Sequence, residues 1–289
     1  FFSCHHAIMD GWGHQIFLGH LLEAYTSIKS GRAPDLGKPD NTYHEFVNLE
    51  HAIGRSEQAA QFWSSYLSGV QFPPLPGFVL PASDEANDPK IVSVLEPDQN
   101  VALERIVREH AVSAQALLLA VWLEVLRRWS GDSVVTTGAI SNGRSEYLVD
   151  PLSSVGLFWN VVPVVSRKEL PVLQQAEVVQ KDLIAVQPYA SYPLLKLMAG
   201  NGGEELFYSA FRYLNFWNAK QIPKESGLRY QGSYTVDRYP FALTCTAGVI
   251  PSGRYLQLEY DPKAVSLGFA ENLLNSYKTL LDEITQAVK

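Results

Sequence analysis

Amphipathic helical segments alternate along this chain with short runs of β-branched and aromatic residues, and that alternation points to an α/β fold. The clearest helix starts at Ser113, a good N-cap. It carries Ala114, Leu117, Leu118, Val121, Trp122, Val125 and Trp129, and meets a stop signal at Gly131. Ser266 caps another, with Phe269, Leu273, Tyr277, Leu280, Leu281 and Ile284 on one side. Phe17, Leu21, Leu22, Tyr25 and Ile28 keep helical spacing over 14–30, and 57–67, 98–109 and 172–186 read as further helices. Between them, 134–137, 161–166, 241–246 and 255–260 read as strands. In the last, Leu256, Leu258 and Tyr260 alternate with Tyr255, Gln257 and Glu259, as in a half-buried strand. Pro73, Pro74, Pro76, Pro81 and Pro89 exclude regular structure around them. They divide a short N-terminal part (1–68) from a longer α/β part (91–289) by a linker over 69–90.

Composition narrows the function. With 289 residues the chain can bury a large core without disulfides or a structural metal. Apolar residues at 46% and charged residues at 18% exclude intrinsic disorder. A formal charge of −7 argues against nucleic acid as a partner, since basic groups supply most of that affinity. Cys4 and Cys245 are too few for a disulfide scaffold and suit a reducing, cytoplasmic setting. Apolar runs fall short of a membrane span, so a membrane is not an expected partner. The chain opens on Phe-Phe-Ser-Cys-His-His, apolar and strand-like without an initiating Met, as a piece of a longer polypeptide would.

Reactive side chains are densest in His5-His6-Ala7-Ile8-Met9-Asp10-Gly11-Trp12. The segment reads as the end of a strand, a short loop and the start of the helix near His14. Strand alternation would send His5 and His6 to opposite faces, one imidazole outward and the other inward. Asp10 is placed to hold the loop by an ion pair, and Gly11 to let substrate approach or to point an N–H at a developing oxyanion. The same residues admit other readings: a structural histidine pair, a metal site on His5, His6 and Asp10, or a thiol nucleophile at Cys4.

The segment resembles the HHxxxDG core motif of condensation domains in nonribosomal peptide synthetases, members of the chloramphenicol-acetyltransferase-like superfamily. Downstream blocks follow in the family's order. Residues 137–144, ending Gly143-Arg144, resemble its Gly-Arg loop, and Val155-Gly156-Leu157-Phe158-Trp159-Asn160-Val161-Val162-Pro163-Val164 is similar to its VGxFxNTxP block. Tyr192-Pro193-Leu194, Tyr239-Pro240-Phe241-Ala242-Leu243 and Tyr260-Asp261-Pro262 resemble later ones. The sequence departs from the pattern at Gly13, where Ser is usual, and at Trp159 and Val161. The Asp-Gly pair differs from the HHxxxDxxSW of epimerisation domains, and the histidines differ from the aspartate pattern of heterocyclisation domains.

The resemblance implies a two-subdomain α/β fold with mixed sheets flanked by helices, its N-terminal subdomain incomplete in this chain. It implies transfer of a carrier-bound acyl or peptidyl thioester to a carrier-bound amine, with His6 catalytic and Gly11 stabilising the oxyanion. His5, Asp10 and Arg144 would be structural at the site, with Asp10 and Arg144 paired; Trp12, Asn160 and Asn215 would meet substrate, and Trp159 would share the loop with Asn160. No metal and no resident cofactor is implied, because phosphopantetheine arrives on the donor and acceptor peptidyl carrier proteins. Adjacent synthetase domains and the remaining N-terminal part of the domain are the other implied partners. A carrier-docking or recruitment relative without catalysis, or a stand-alone acyltransferase of the superfamily, are the alternatives.

Overall fold

The structure, a computed structural model, describes residues 2–35, 37–76, 89–215, 226–229, 231 and 241–287. In chain order its elements are α1 (Gly11–Lys29), α2 (Thr42–Ile53), α3 (Glu57–Tyr66), β1 (Lys90–Val94), α4 (Pro97–Glu109), α5 (Ala114–Ser130), β2 (Val135–Ser141), β3 (Asn160–Ser166), α6 (Val172–Val186), α7 (Leu194–Gly200), β4 (Ser209–Leu214), β5 (Leu243–Ile250), β6 (Gly253–Tyr260) and α8 (Leu267–Gln286).

The strands make one mixed sheet in the order β1-β6-β5-β4-β2-β3. β4 runs parallel to both β2 and β5, and the remaining pairs are antiparallel. β2 and β3 pair from Val135↔Ser166 to Ser141↔Asn160, so the connection over 142–159 leaves and re-enters the sheet at one end. That connection carries Arg144 and Gly156, and it positions the site.

α5 is the centre of the helical layer, packed on α6 and α8 and over β2, β4 and β5. Every residue from Ala116 to Leu126 is buried, so the helix is enclosed on all sides. Glu124 within it is matched by Arg127 at 2.6 Å and Arg128 at 2.8 Å. The ends obey local chemistry: Ser113 accepts from the Ala116 N–H, Gly131 takes a left-handed φ of 75°, and Ser266 accepts from the Phe269 N–H. A smaller cluster of Phe46, Leu148 and Phe158 lies under α2 and the β2–β3 connection.

The structure departs from sequence expectation in several places. Residues 2–5 form no strand; His6–Ile8 is a single 3-10 turn between extended residues His5 and Met9. An isolated extended segment has no ladder to join, so alternation does not place His5 and His6 on two faces, and both are exposed. α2, α7, β1 and β4 were not anticipated. β4 lies between two other strands, and its Ser-Ala-Phe-Arg-Tyr-Leu run shows neither alternation nor an apolar stretch. Of the expected linker, 77–88 lies outside the described residues, 71–75 has no regular structure, and Lys90 already pairs with Glu259 in the sheet. Trp63 of α3 is buried in the same apolar cluster as α5, so α3 packs with the larger part of the chain. Tyr239 and Pro240 lie outside the described residues.

Candidate active site

The site is assembled from the start of α1 and the β2–β3 connection. Asp10 is the N-cap of α1, and its Oδ1 accepts from the Gly13 N–H at 2.6 Å. Arg144 reaches it from the other element, with Nη2 2.8 Å from Oδ1 and 3.0 Å from Oδ2. The Phe158 N–H donates to Oδ2 at 3.1 Å, and the Asp10 N–H donates to the Gly156 carbonyl at 2.9 Å. Arg144 spends Nη1 on the carbonyls of Pro151 (2.6 Å) and Ser154 (2.9 Å) and lies 4.1 Å above the Phe158 ring. Burial pulls the Arg144 pKa down, and the Asp10 carboxylate opposes that pull.

Two glycines permit this approach. Gly143 has φ 61°, and a Cβ on it would overlap the Phe158 carbonyl. A Cβ on Gly156 would run into the Tyr43 ring. Gly13, where the resembled motif has Ser, sits so that a Cβ would be 3.0 Å from the Gly156 nitrogen, which ties the substitution to the closeness of the two elements.

The two imidazoles stand in front of this framework. His6 is exposed and meets the edge of Trp159, with ring centroids 6.1 Å apart at 66°. His5 Nδ1 accepts from the Ala7 N–H at 3.1 Å, which shapes the turn under His6. Gly11, the first residue of α1, is exposed, and the first-turn N–H groups of a helix lack intrahelical partners. Asp10 is engaged by Arg144, Gly13 and Phe158, so a metal site on His5, His6 and Asp10 loses its carboxylate. Among the described residues no group of three His, Cys, Asp or Glu side chains is placed to hold a metal. Cys4 is exposed.

Two residues that the resemblance sets against substrate make hydrogen bonds that hold the fold here. The Trp12 indole N–H donates to the Leu152 carbonyl at 2.8 Å, pinning α1 to the connection. Asn160 donates from Nδ2 to the carbonyls of Ala190 (2.8 Å) and Tyr192 (3.0 Å) and accepts from the Val161 N–H, which uses both amide hydrogens and one lone pair of Oδ1. Asn215 follows β4 and is exposed, away from these contacts. Phe158, Gly156 and Leu152 escaped residue-level reading because they act through backbone groups. The closeness of the VGxFxN block to the histidine loop was the missing link.

Comparisons with known proteins bear on this arrangement. A family model described as "Condensation domain" matches residues 1–289. The chain is similar to linear gramicidin synthase subunits D and C of Brevibacillus parabrevis. It is 23% identical to the first over 299 residues and 27% to the second over 301, covering 99% and 98% of this chain. It spans only 6% and 4% of those proteins. Among solved structures it resembles the first condensation domain of the calcium-dependent antibiotic synthetase in complex with a substrate analogue (TM-score 0.75, 18% identity, 97% of this chain and 65% of that one). It also resembles the epimerization domain from the third module of tyrocidine synthetase B (TM-score 0.77, 16%, 98% and 68%). A third likeness is to the X-domain in its complex with OxyB from teicoplanin biosynthesis (TM-score 0.76, 18%, 98% and 66%). The mixed sheet flanked by helices is the chloramphenicol-acetyltransferase-like arrangement of these structures.

Proposed function

The chain belongs to the condensation-domain family, and we propose that within a nonribosomal peptide synthetase it forms an amide bond between two carrier-bound substrates. The acceptor amine nitrogen attacks the donor thioester carbonyl, the C–S bond breaks, and the released thiolate takes up the proton the amine loses. The observation that carries this reading is the exposed His6, on a loop whose far end is anchored by the buried Asp10–Arg144 pair.

A free α-amino group has a pKa of about 7.7–8, so much of it is already nucleophilic at neutral pH and a strong base is unnecessary. His6 accepts a proton from the tetrahedral species or positions the amine, help worth about 10²–10⁴-fold. Holding two tethered substrates in line contributes as much or more. The exposed start of α1 at Gly11 offers N–H groups to the oxyanion. Donor and acceptor carriers, each bearing phosphopantetheine, are the partners, alongside neighbouring synthetase domains. The further third present in the solved chains is proposed to complete the domain. A division at the 69–90 segment, with 1–68 on one side and 91–289 on the other, belongs to the same proposal. The setting is cytoplasmic; among the described residues no single helix is long and apolar enough to cross a membrane.

The second reading is recruitment of another enzyme without catalysis, favoured by the likeness to the X-domain solved with OxyB. His6 beside an unblocked Gly11 favours chemistry. The test is intact mass spectrometry of donor- and acceptor-loaded carriers mixed with the chain, alone and restored to the length of the solved domains. Mass gain on the acceptor carrier that is lost or sharply slowed by His6→Ala supports amide formation. A near-wild-type rate in His6→Ala removes the catalytic assignment, and no gain with several substrate pairs moves the reading to recruitment.

A further inference from the structure

Among the described residues, the aromatic ring that meets His6 is Trp159. Trp159 is half-buried and packs partly against the main apolar core. Both of its chain neighbours are pinned: the Phe158 N–H donates to Asp10 at 3.1 Å, and the Asn160 amide is bonded to Ala190 and Tyr192 at 2.8 and 3.0 Å. Those bonds fix the chain on either side of Trp159, and the indole itself is restrained by its packing against the core. Asp10 also fixes the loop that carries His6, through its own N–H to Gly156 and its cap on α1. The chain segments that carry imidazole and indole are therefore both tied to Asp10, and the two rings are in edge contact.

Resting on the amide-forming reading above, we propose that Trp159 is the specificity wall of the site. It limits the side chain of whichever aminoacyl group lies against His6, favouring small groups such as those of glycine and alanine over branched or aromatic ones. An apolar wall discriminates by exclusion, and a single ill-fitting methylene is worth roughly 10–200-fold in kcat/KM.

The test uses carriers loaded with glycyl, alanyl, leucyl and phenylalanyl groups, varied first on the acceptor with a fixed donor and then on the donor with a fixed acceptor. Wild type is compared with Trp159→Phe, Trp159→Val and His6→Ala. In one series Trp159→Val raises the leucyl-to-glycyl ratio of kcat/KM about tenfold or more, with Trp159→Phe in between. The series that responds identifies the substrate the wall faces. His6→Ala slows every pair and leaves the ratio alone. A ratio unchanged by Trp159→Val in both series overturns the proposal even where His6→Ala abolishes turnover. Absence of product from every pair in wild type overturns the amide-forming reading and this one with it. A readout independent of turnover is the His6 ring proton resonance, which lies under the indole ring current. Trp159→Val shifts it while the other histidines stay in place; an unmoved resonance means the contact is absent, and the proposal fails on geometry alone.

Discussion

Asp10 and Arg144 stand 134 residues apart in the chain and meet in one ion pair, Arg144 Nη2 lying 2.8 and 3.0 Å from the two carboxylate oxygens. The same two carboxylate oxygens also accept from the N–H groups of Gly13 and Phe158. A carboxylate offers about four acceptor positions, so Asp10 has none left for a reacting proton. It is a strut that joins the start of α1 to the β2–β3 connection, and the exposed histidine rides on the joint.

Breaking a buried pair by removing one partner costs about 3–5 kcal/mol, because the other charge is left uncompensated. Asp10→Ala and Arg144→Met are each expected to lower the unfolding free energy by that order in a urea titration. The double variant should lose less than the two singles summed. Lost turnover in Asp10→Ala with an unchanged melt would count against the strut.

His6→Ala is expected to behave in the opposite way. The ring is exposed and touches its surroundings at the Trp159 edge, so stability should stay within about 0.5 kcal/mol of wild type. Turnover should fall by about 10²–10⁴-fold. A calorimetric scan beside the carrier assay separates the two quantities.

Gly143→Ala and Gly268→Ala form a matched contrast. At Gly143 the backbone is left-handed and a Cβ would overlap the Phe158 carbonyl, so the alanine should destabilise by more than the roughly 1–3 kcal/mol of local strain alone. At Gly268, in the first turn of α8, a Cβ meets open space, and alanine should stabilise by about 0.4–1 kcal/mol. Equal and small effects at both sites would mean that the loop at Gly143 yields freely.

Asp182 offers a pH test. Burial raises its pKa above the usual carboxylate value, with the Tyr66 hydroxyl and Arg167 opposing the shift. Between the unfolded and folded values the native protein binds more protons than the unfolded chain, so stability falls as pH rises through that window. Asp182→Asn, which keeps an acceptor for the Tyr66 hydroxyl, should melt higher than wild type at pH 7. The gain should shrink as pH drops to 4 and below; a gain that is constant with pH would mean the carboxylate is not the cause.

What was legible in the sequence was local. Ser113, Gly131 and Ser266 act within one helical turn of themselves, so the bounds of α5 and α8 could be read from spacing. β4 gains its strand character from β2 and β5 on either side, and nothing within its six residues encodes those neighbours. The site divides in the same way. The partnership of Asp10 with Arg144 was reachable only through the order of blocks resembling a known family. Trp12 and Asn160 are set against substrate by the family resemblance alone. The hydrogen bonds they make here reach carbonyls 140, 30 and 32 residues away, which no side-chain pattern announces.

The same distance sets a timetable. His6 leaves the ribosome well ahead of Arg144, Gly156 and Phe158, which follow about 140–150 positions later, roughly 7–30 s at ordinary elongation rates. Throughout that interval the catalytic loop exists without its brace. The histidine loop is thus made before its brace and set only when the β2–β3 connection closes behind it.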